Sequence, residues 1–305
     1  MNYRYLLFLT LLIAVSACEK TEKVENFPKH EGKLVTNCFF RPDTCFIFKL
    51  SKSLSPIDNA PYRNMNNSSA YIKVFENNTL FDSFRYQALS QFNYGFFGAK
   101  AKTPKAGNTY RFECNYPGFG VVTAEDFLPD TLAVTNAKGF YTVFNVYYDT
   151  DTMLTGEYYT NLNLDFKSLL TKNPYLVIDI DILPYNWKGS VYGYYGYMED
   201  LTDLNSSNES NFIANRLYVE NTNGVNRINL KWRNSGSLRK NGNTFYHVIT
   251  VTSCSSAAFE YMKRLALQQE NQDDPFSEPT PISNNIKNGY GVFGGINSQQ
   301  FFVNF

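Results

Sequence analysis

The segment from Asp273 to Ser298, DDPFSEPTPISNNIKNGYGVFGGINS, constrains this chain more than any other. It is crowded with Pro, Asn, Gly and Ser, the residues that turn or interrupt regular elements. Yet Phe276, Ile282, Ile286, Tyr290, Val292 and Phe293 recur through it, and a flexible linker has no use for spaced apolar side chains. It therefore reads as an ordered, Gly-punctuated loop over residues 273–298. These apolar anchors pack it back on β-structure, and it leads into a last strand, Gln300-Phe-Phe-Val-Asn-Phe.

The preceding sequence supplies strands for that loop to pack on. KLVTNCFF from Lys33, the run from Cys45 to Ser53, Ala70–Glu76, Thr79–Ala88, Tyr94–Ala99, the run entering Cys114 and Val121–Ala124 are β-branched or aromatic. Arg41-Pro42-Asp43, Asn77-Asn78 and Pro117-Gly118 separate them as turns. Short strands at this spacing predict a β-sandwich of immunoglobulin or transthyretin type over residues 33–133. Pro129-Asp130 marks a boundary. Beyond it, Tyr141–Asp149, Glu157–Phe166, Tyr175–Leu183 and Thr244–Thr252 read as strands, and Asn223-Gly224 predicts a hairpin joining Leu217–Val219 to Val225–Trp232. One helix is predicted over Ala257–Gln269, capped by Ser255 or Ser256, with Phe259, Met262, Leu265 and Ala266 on one face. The expected fold is mainly β: two tandem β-sandwich domains, the second fibronectin-like over residues 134–305, with the helix as a decoration. Composition agrees, because 23 Tyr and 26 Phe against only 18% charged residues favour pleated sheet. Lys and Arg balance Asp and Glu at 28 each, which removes the electrostatic case for nucleic acid or an anionic membrane surface.

Residues 1–17 have the layout of an export signal. Arg4 is followed by an apolar run, Leu6–Val15, that is too short to span a bilayer. Val15-Ser16-Ala17-Cys18 resembles the lipobox of bacterial lipoproteins, in which cleavage precedes the Cys and its thiol is acylated. Each buried CH₂ of such chains adds about 0.8 kcal/mol of membrane affinity. Residues 18–32 then read as a polar tether. Four cysteines remain. Cys38 and Cys45 flank the Arg41-Pro42-Asp43 turn, and opposed strand positions in an exported protein suggest a disulfide between them. Cys114 and Cys254 lie far apart in the chain and read as buried thiols.

Groups able to do chemistry are few. Of the two histidines, His30 falls in the tether and His247 alternates with apolar neighbours like a sheet residue. No HExxH, GxSxG or P-loop occurs, and no cofactor or metal is expected. Asp149, Asp151 and Glu157 bracket a turn without the calcium-loop spacing. Asp179 and Asp181 share a strand face and read as its polar side rather than as a hydrolytic pair. The run Tyr192-Gly-Tyr-Tyr-Gly-Tyr is the most suggestive. Tyr192, Tyr194, Tyr195 and Tyr197 read either as core aromatics or as a ligand or partner surface for sugar, peptide or protein. A terminal Phe305 after alternating aromatics suits the end of a membrane barrel, but the short strands and the helix speak against one.

Taken together, the lipobox, KLVTNCFF, FKLSKSLS, AGNTYRFE, PGFGVVTAEDFLP, YYDTDTMLTGEYY, SSAAFEYMKRL and DPFSEPTPISNNIKNGYGVFGG resemble a Bacteroidetes outer-membrane lipoprotein family, domain of unknown function 4249. The resemblance spans nearly all of the chain after Cys18 and is most specific in the last motif. It implies a lipid-anchored protein of the outer membrane; the acidic Glu19 after Cys18 resembles a surface-export signal, so the cell surface is the expected face, with the periplasmic face left open. It also implies an accessory role beside a TonB-dependent transporter, and with so few groups able to do chemistry no enzymatic activity is expected. A surface module that captures carbohydrate or peptide by itself is the alternative.

Overall fold

The computed structural model describes residues 30–55, 69–90, 93–97, 102–132, 134–166, 175–184, 199–203, 209–213, 216–220, 227–239, 245–273 and 276–304. The chain divides at Glu31/Gly32, and every element below lies in Gly32–Phe305. The export signal, Cys18 and most of the tether fall outside the described residues.

Seven strands build the first half: β1 (Leu34–Phe40), β2 (Ile47–Lys52), β3 (Tyr71–Glu76), β4 (Thr79–Ser90), β5 (Asn93–Phe97), β6 (Thr109–Tyr116) and β7 (Gly120–Phe127). Alternation sets their faces. In β1 every second residue from Leu34 is buried, and β6 buries Tyr110, Phe112, Cys114 and Tyr116. The β3–β4 turn is made by Asn77 and Asn78, with φ of 47° and 69°, the left-handed pair that a tight hairpin needs and Asn tolerates. β4 pairs with β3 through Arg85 and with β5 from Tyr86 onward, so one long strand serves both layers. The layers enclose one aromatic core of Phe40, Phe46, Phe48, Tyr110 and Phe112, as the first predicted sandwich requires.

The second half is laid out by β8 (Val134–Asp149), β9 (Met153–Phe166), β10 (Tyr175–Pro184), β11 (Glu199–Asp203), β12 (Glu209–Ile213), β13 (Arg216–Glu220), β14 (Arg227–Arg239), β15 (Phe245–Cys254), helix α1 (Ser256–Glu270) and β16 (Tyr290–Asn304). A four-stranded sheet runs β11-β14-β9-β8, while β12-β13-β10-β15-β16 continues through β1 into the first half. Leu162, Leu164, Ile228, Leu230 and Trp232 of the small sheet meet Leu176, Ile178, Leu217, Ile249 and Val251 of the large one. The opposite face of the large sheet is covered by α1 through Ala258, Phe259 and Ala266 against Val177 and Tyr218. Coverage on both faces accounts for the near-continuous apolar run in β10. Ser255 is the N-cap of α1, accepting the Ala258 N–H at 3.2 Å, one of the two caps expected. Leu265 is only half-buried, whereas Met262 packs as predicted.

β16 holds the two halves together. Tyr290–Gly295 pairs in parallel with β1, and Ile296–Asn304 pairs antiparallel with β15. Residues 134–305 therefore do not close on themselves: Phe293 lies in the first core, with its ring 4.6 Å from Phe40 and 5.0 Å from Phe112. A fully buried Phe adds about 1.5–3 kcal/mol. Glycine permits the crossing at two points. Gly291 has φ +115°, and a Cβ there would lie 2.2 Å from the Thr36 carbonyl oxygen. A Cβ on Gly294 would lie 2.7 Å from the Ala258 Cβ, so the first turn of α1 rests on bare backbone.

Four expectations are corrected. Residues 290–298 are strand, so the ordered loop ends at Gly289. Of its predicted anchors, Ile286, Val292 and Phe293 are buried, but Phe276 is 94% exposed, and Ile282 and Tyr290 are exposed as well. The loop is held instead by polar bonds: the Asn285 side chain exchanges two hydrogen bonds with the Phe293 backbone at 2.8 and 3.0 Å. The segments flanking Asn223-Gly224 do not form a hairpin, because β13 lies in the large sheet and β14 in the small one. The turn itself is outside the described residues. Finally, Cys38 and Cys45 are free thiols. The β1–β2 ladder runs from Leu34↔Lys52 to Asn37↔Lys49, and Cys45 precedes β2, so the two cysteines are never opposed in it. Cys114 and Cys254 are buried free thiols, as expected.

Candidate functional site

The sites named from sequence are dispersed. Cys18 and Tyr192, Tyr194, Tyr195 and Tyr197 lie outside the described residues. His247 is 1% exposed, and burial pushes its pKa down to about 3, leaving a neutral ring among Trp232 and Tyr141. Asp179 is paired with Arg216 at 2.6 Å while Asp181 faces solvent. Burial raises the Asp179 pKa against the pull of Arg216, and the charge of Asp181 adds to that rise. Among the described residues, no three His, Cys, Asp or Glu side chains are grouped to hold a metal. Nor is any helix there long and apolar enough to cross a membrane.

The small sheet presents a more coherent surface. In β9 the even-numbered residues from Tyr158 to Phe166 are buried, so Glu157, Tyr159, Asn161, Asn163 and Asp165 point away from the core. The registers place partners beside them on that outer face: Lys138–Asn163–Asn229, Phe140–Asn161–Lys231 and Thr142–Tyr159–Arg233, with Asn145 beside Glu157. Successive rows are two residues apart, about 6.7 Å along the strands.

β8 is the edge of this sheet, and its ladder to β9 slips between Val143 and Asn145 and again between Val146 and Tyr148. The extra residues at these bulges are Phe144 and Tyr147. A bulge bends an edge strand and re-aims its side chains. It also blunts the edge against pairing with another chain. Phe144 is 45% exposed and Tyr147 62%. The Phe144 ring lies 4.7 Å from that of Tyr159. The Lys231 Nζ sits 3.8 Å above the Tyr159 ring, and the Arg233 guanidinium lies 5.5 Å from Phe144.

Polar groups tie the cluster together. Glu157 accepts from Arg233 and, at 3.2 Å, from Asn145. The Arg233 hydrogen bond is the leading reason that the Glu157 carboxyl sits below its ordinary range. The Tyr147 hydroxyl also reaches Glu157. Arg227 and Asp165 form a second ion pair, four rows from Glu157 along β9. The result is a face of half-exposed rings bordered by amide, carboxylate and guanidinium groups that hold one another, able to hold a ligand. Sequence reading touched this cluster only through Glu157, because bulges leave no mark in single-residue propensities.

The chain belongs to the family described as Domain of unknown function (DUF4249), whose model matches residues 21–301. No curated protein matches it. Among solved structures it is similar to CfaE, the adhesive subunit of CFA/I fimbria of enterotoxigenic Escherichia coli, with 9% identity, TM-score 0.20, and 92% of this chain and 88% of that chain covered. It is also similar to the collagen-binding domain of the Erysipelothrix rhusiopathiae surface protein RspB, with 10% identity, TM-score 0.19, and 88% and 95% covered. At those scores neither likeness carries an argument about function.

Proposed function

We infer that this member of the domain of unknown function 4249 family is a lipid-anchored, non-enzymatic binding protein of the outer membrane, acting as an accessory subunit beside a TonB-dependent transporter. The observation that carries the reading is the outer face of the β11-β14-β9-β8 sheet. There, half-exposed Phe144 and Tyr147 stand among fixed polar groups, an arrangement suited to holding a partner or ligand. The groups that catalysis would recruit are engaged elsewhere: Asp179 by Arg216, and His247 by burial. Cys18 after Val-Ser-Ala supports the anchor.

Mild-detergent extraction of native membranes, followed by capture of the full chain, tests this. An outer-membrane barrel should co-purify, and the mass of the N-terminal peptide should carry acyl groups on Cys18. Recovery of the chain alone with an unmodified residue 18 overturns the reading. The same face favours one alternative, a surface module that captures carbohydrate or peptide without a transporter, for which ligand binding would persist with no barrel attached.

A further inference from the structure

We propose that the outer face of the small sheet is an oligosaccharide site, with Phe144 and Tyr147 as the stacking rings. This rests on reading the chain as a binding protein and names the class of ligand. Three observations point to sugar rather than to protein or strand addition.

The first is composition. The core of a protein–protein interface is depleted in Lys and Glu, although aromatic residues and Arg are enriched there. Here Phe140, Phe144, Tyr147 and Tyr159 alternate with Lys231, Arg233, Glu157 and Asn161 in adjoining rows. A pyranose needs that mixture: an aromatic face for its C–H groups, and charged or amide groups beside the ring for its hydroxyls, since hydrogen bonds to ionised partners are the stronger ones.

The second is preorganisation. Glu157 is held by Arg233 and Asn145, and Asn161 donates to the Phe140 carbonyl oxygen at 3.3 Å and to the Thr142 hydroxyl at 3.2 Å. These groups lose little freedom when a ligand arrives, which preserves affinity for a weakly binding, strongly hydrated molecule. The third is the edge itself. Bulges at Phe144 and Tyr147 interrupt the β8 ladder, so β8 is a poor template for a partner strand, while the same bulges turn two rings outward. The rows extend for several residues along the strands, which suits a chain of sugars better than a single one.

The test is calorimetric titration of the detergent-solubilised full chain with two sets of oligomers: uronic-acid oligosaccharides and neutral gluco- and manno-oligosaccharides. Binding should appear in at least one set. It should fall tenfold or more with Phe144→Ala and with Tyr147→Ala, while the thermal midpoints stay put because both rings are exposed. Binding by neither set, or binding that survives both ring substitutions, overturns the proposal. Barrel co-purification with the parent chain separates the two readings. A retained barrel without any saccharide binding by the parent chain sinks the sugar site alone. Loss of the barrel from the parent chain sinks the transporter role alone.

Discussion

The Ser255 hydroxyl donates to Oδ2 of Asp126 while accepting the N–H of Ala258, so the cap of α1 is tied to the C-terminal end of β7, 129 residues earlier in the chain. The same carboxylate accepts the Phe127 N–H at 2.9 Å and the Gly295 N–H at 3.4 Å, and the Ser255 N–H donates to the Gly295 carbonyl at 2.9 Å. Asp126 thus sits where β7, α1 and β16 meet, and burial raises its pKa to about 6 against those hydrogen bonds.

That shift has a definite sign. Between the unfolded value of 3.8 and about 6, the folded protein holds a proton that the unfolded chain has released. The contribution to stability is therefore full below pH 4 and is lost as pH rises through 6, with roughly 3 kcal/mol as its upper bound. Denaturant titrations of the parent and of Asp126→Asn across pH 4 to 7 should diverge, with the variant flatter over this window. Parallel curves would show that Asp126 does not retain its proton.

Gly291→Ala should be severe. The new Cβ combines a φ of +115° with a 2.2 Å approach to the Thr36 oxygen, and strain in that backbone region alone costs about 1–3 kcal/mol. Gly118→Ala is the control: φ is +87°, but nothing lies within 4 Å. Midpoints from urea unfolding should fall markedly more for position 291. Equal losses would mean that β16 does not pass so close to β1.

Phe293 and Phe276 look alike in sequence but should behave oppositely. Phe293→Ala removes a ring packed against Phe40, Phe46, Phe48 and Phe112, at a cost of about 3–5 kcal/mol. Phe276→Ala acts on a side chain 94% exposed and should change stability by less than about 0.5 kcal/mol. Unfolding free energies measured side by side decide it. A large loss at 276 would place that ring in the core after all.

Thiol labelling of the native chain should modify Cys45, which is half-buried, and spare Cys38, Cys114 and Cys254. Burial raises the pKa of all three and withholds the reactive thiolate. Denaturation should release the three protected thiols to the reagent. Failure of both Cys38 and Cys45 to react after unfolding, with recovery on reduction, would restore the disulfide expected from their spacing.

Strand positions were legible from sequence wherever alternation was unbroken, as in β1, β6 and β15, and so were the Asn77-Asn78 turn and the Ser255 cap. These follow from local physics: a pleat of period two, left-handed tolerance of Asn, and a hydroxyl positioned to accept a free helix N–H. The ordered character of the Asn284–Gly289 segment was also readable, because its asparagines and Ile286 act on near neighbours. Which strands pair could not be read this way. The β13–β14 connection has the local signature of a hairpin yet separates two sheets: β13 pairs with β10 and β14 with β9, and their apolar faces meet across the core instead of side by side. The parallel seating of β16 beside β1 joins residues about 255 apart, and no window of sequence registers that. The bulges at Phe144 and Tyr147, which create the candidate site, depend on how β8 fits against β9. The chain by itself dictated sheet, helix, turns and a lipobox-like start. Only the folded chain decided which aromatic rings became core and which were left facing water, because burial is set by the neighbours a strand finds in three dimensions.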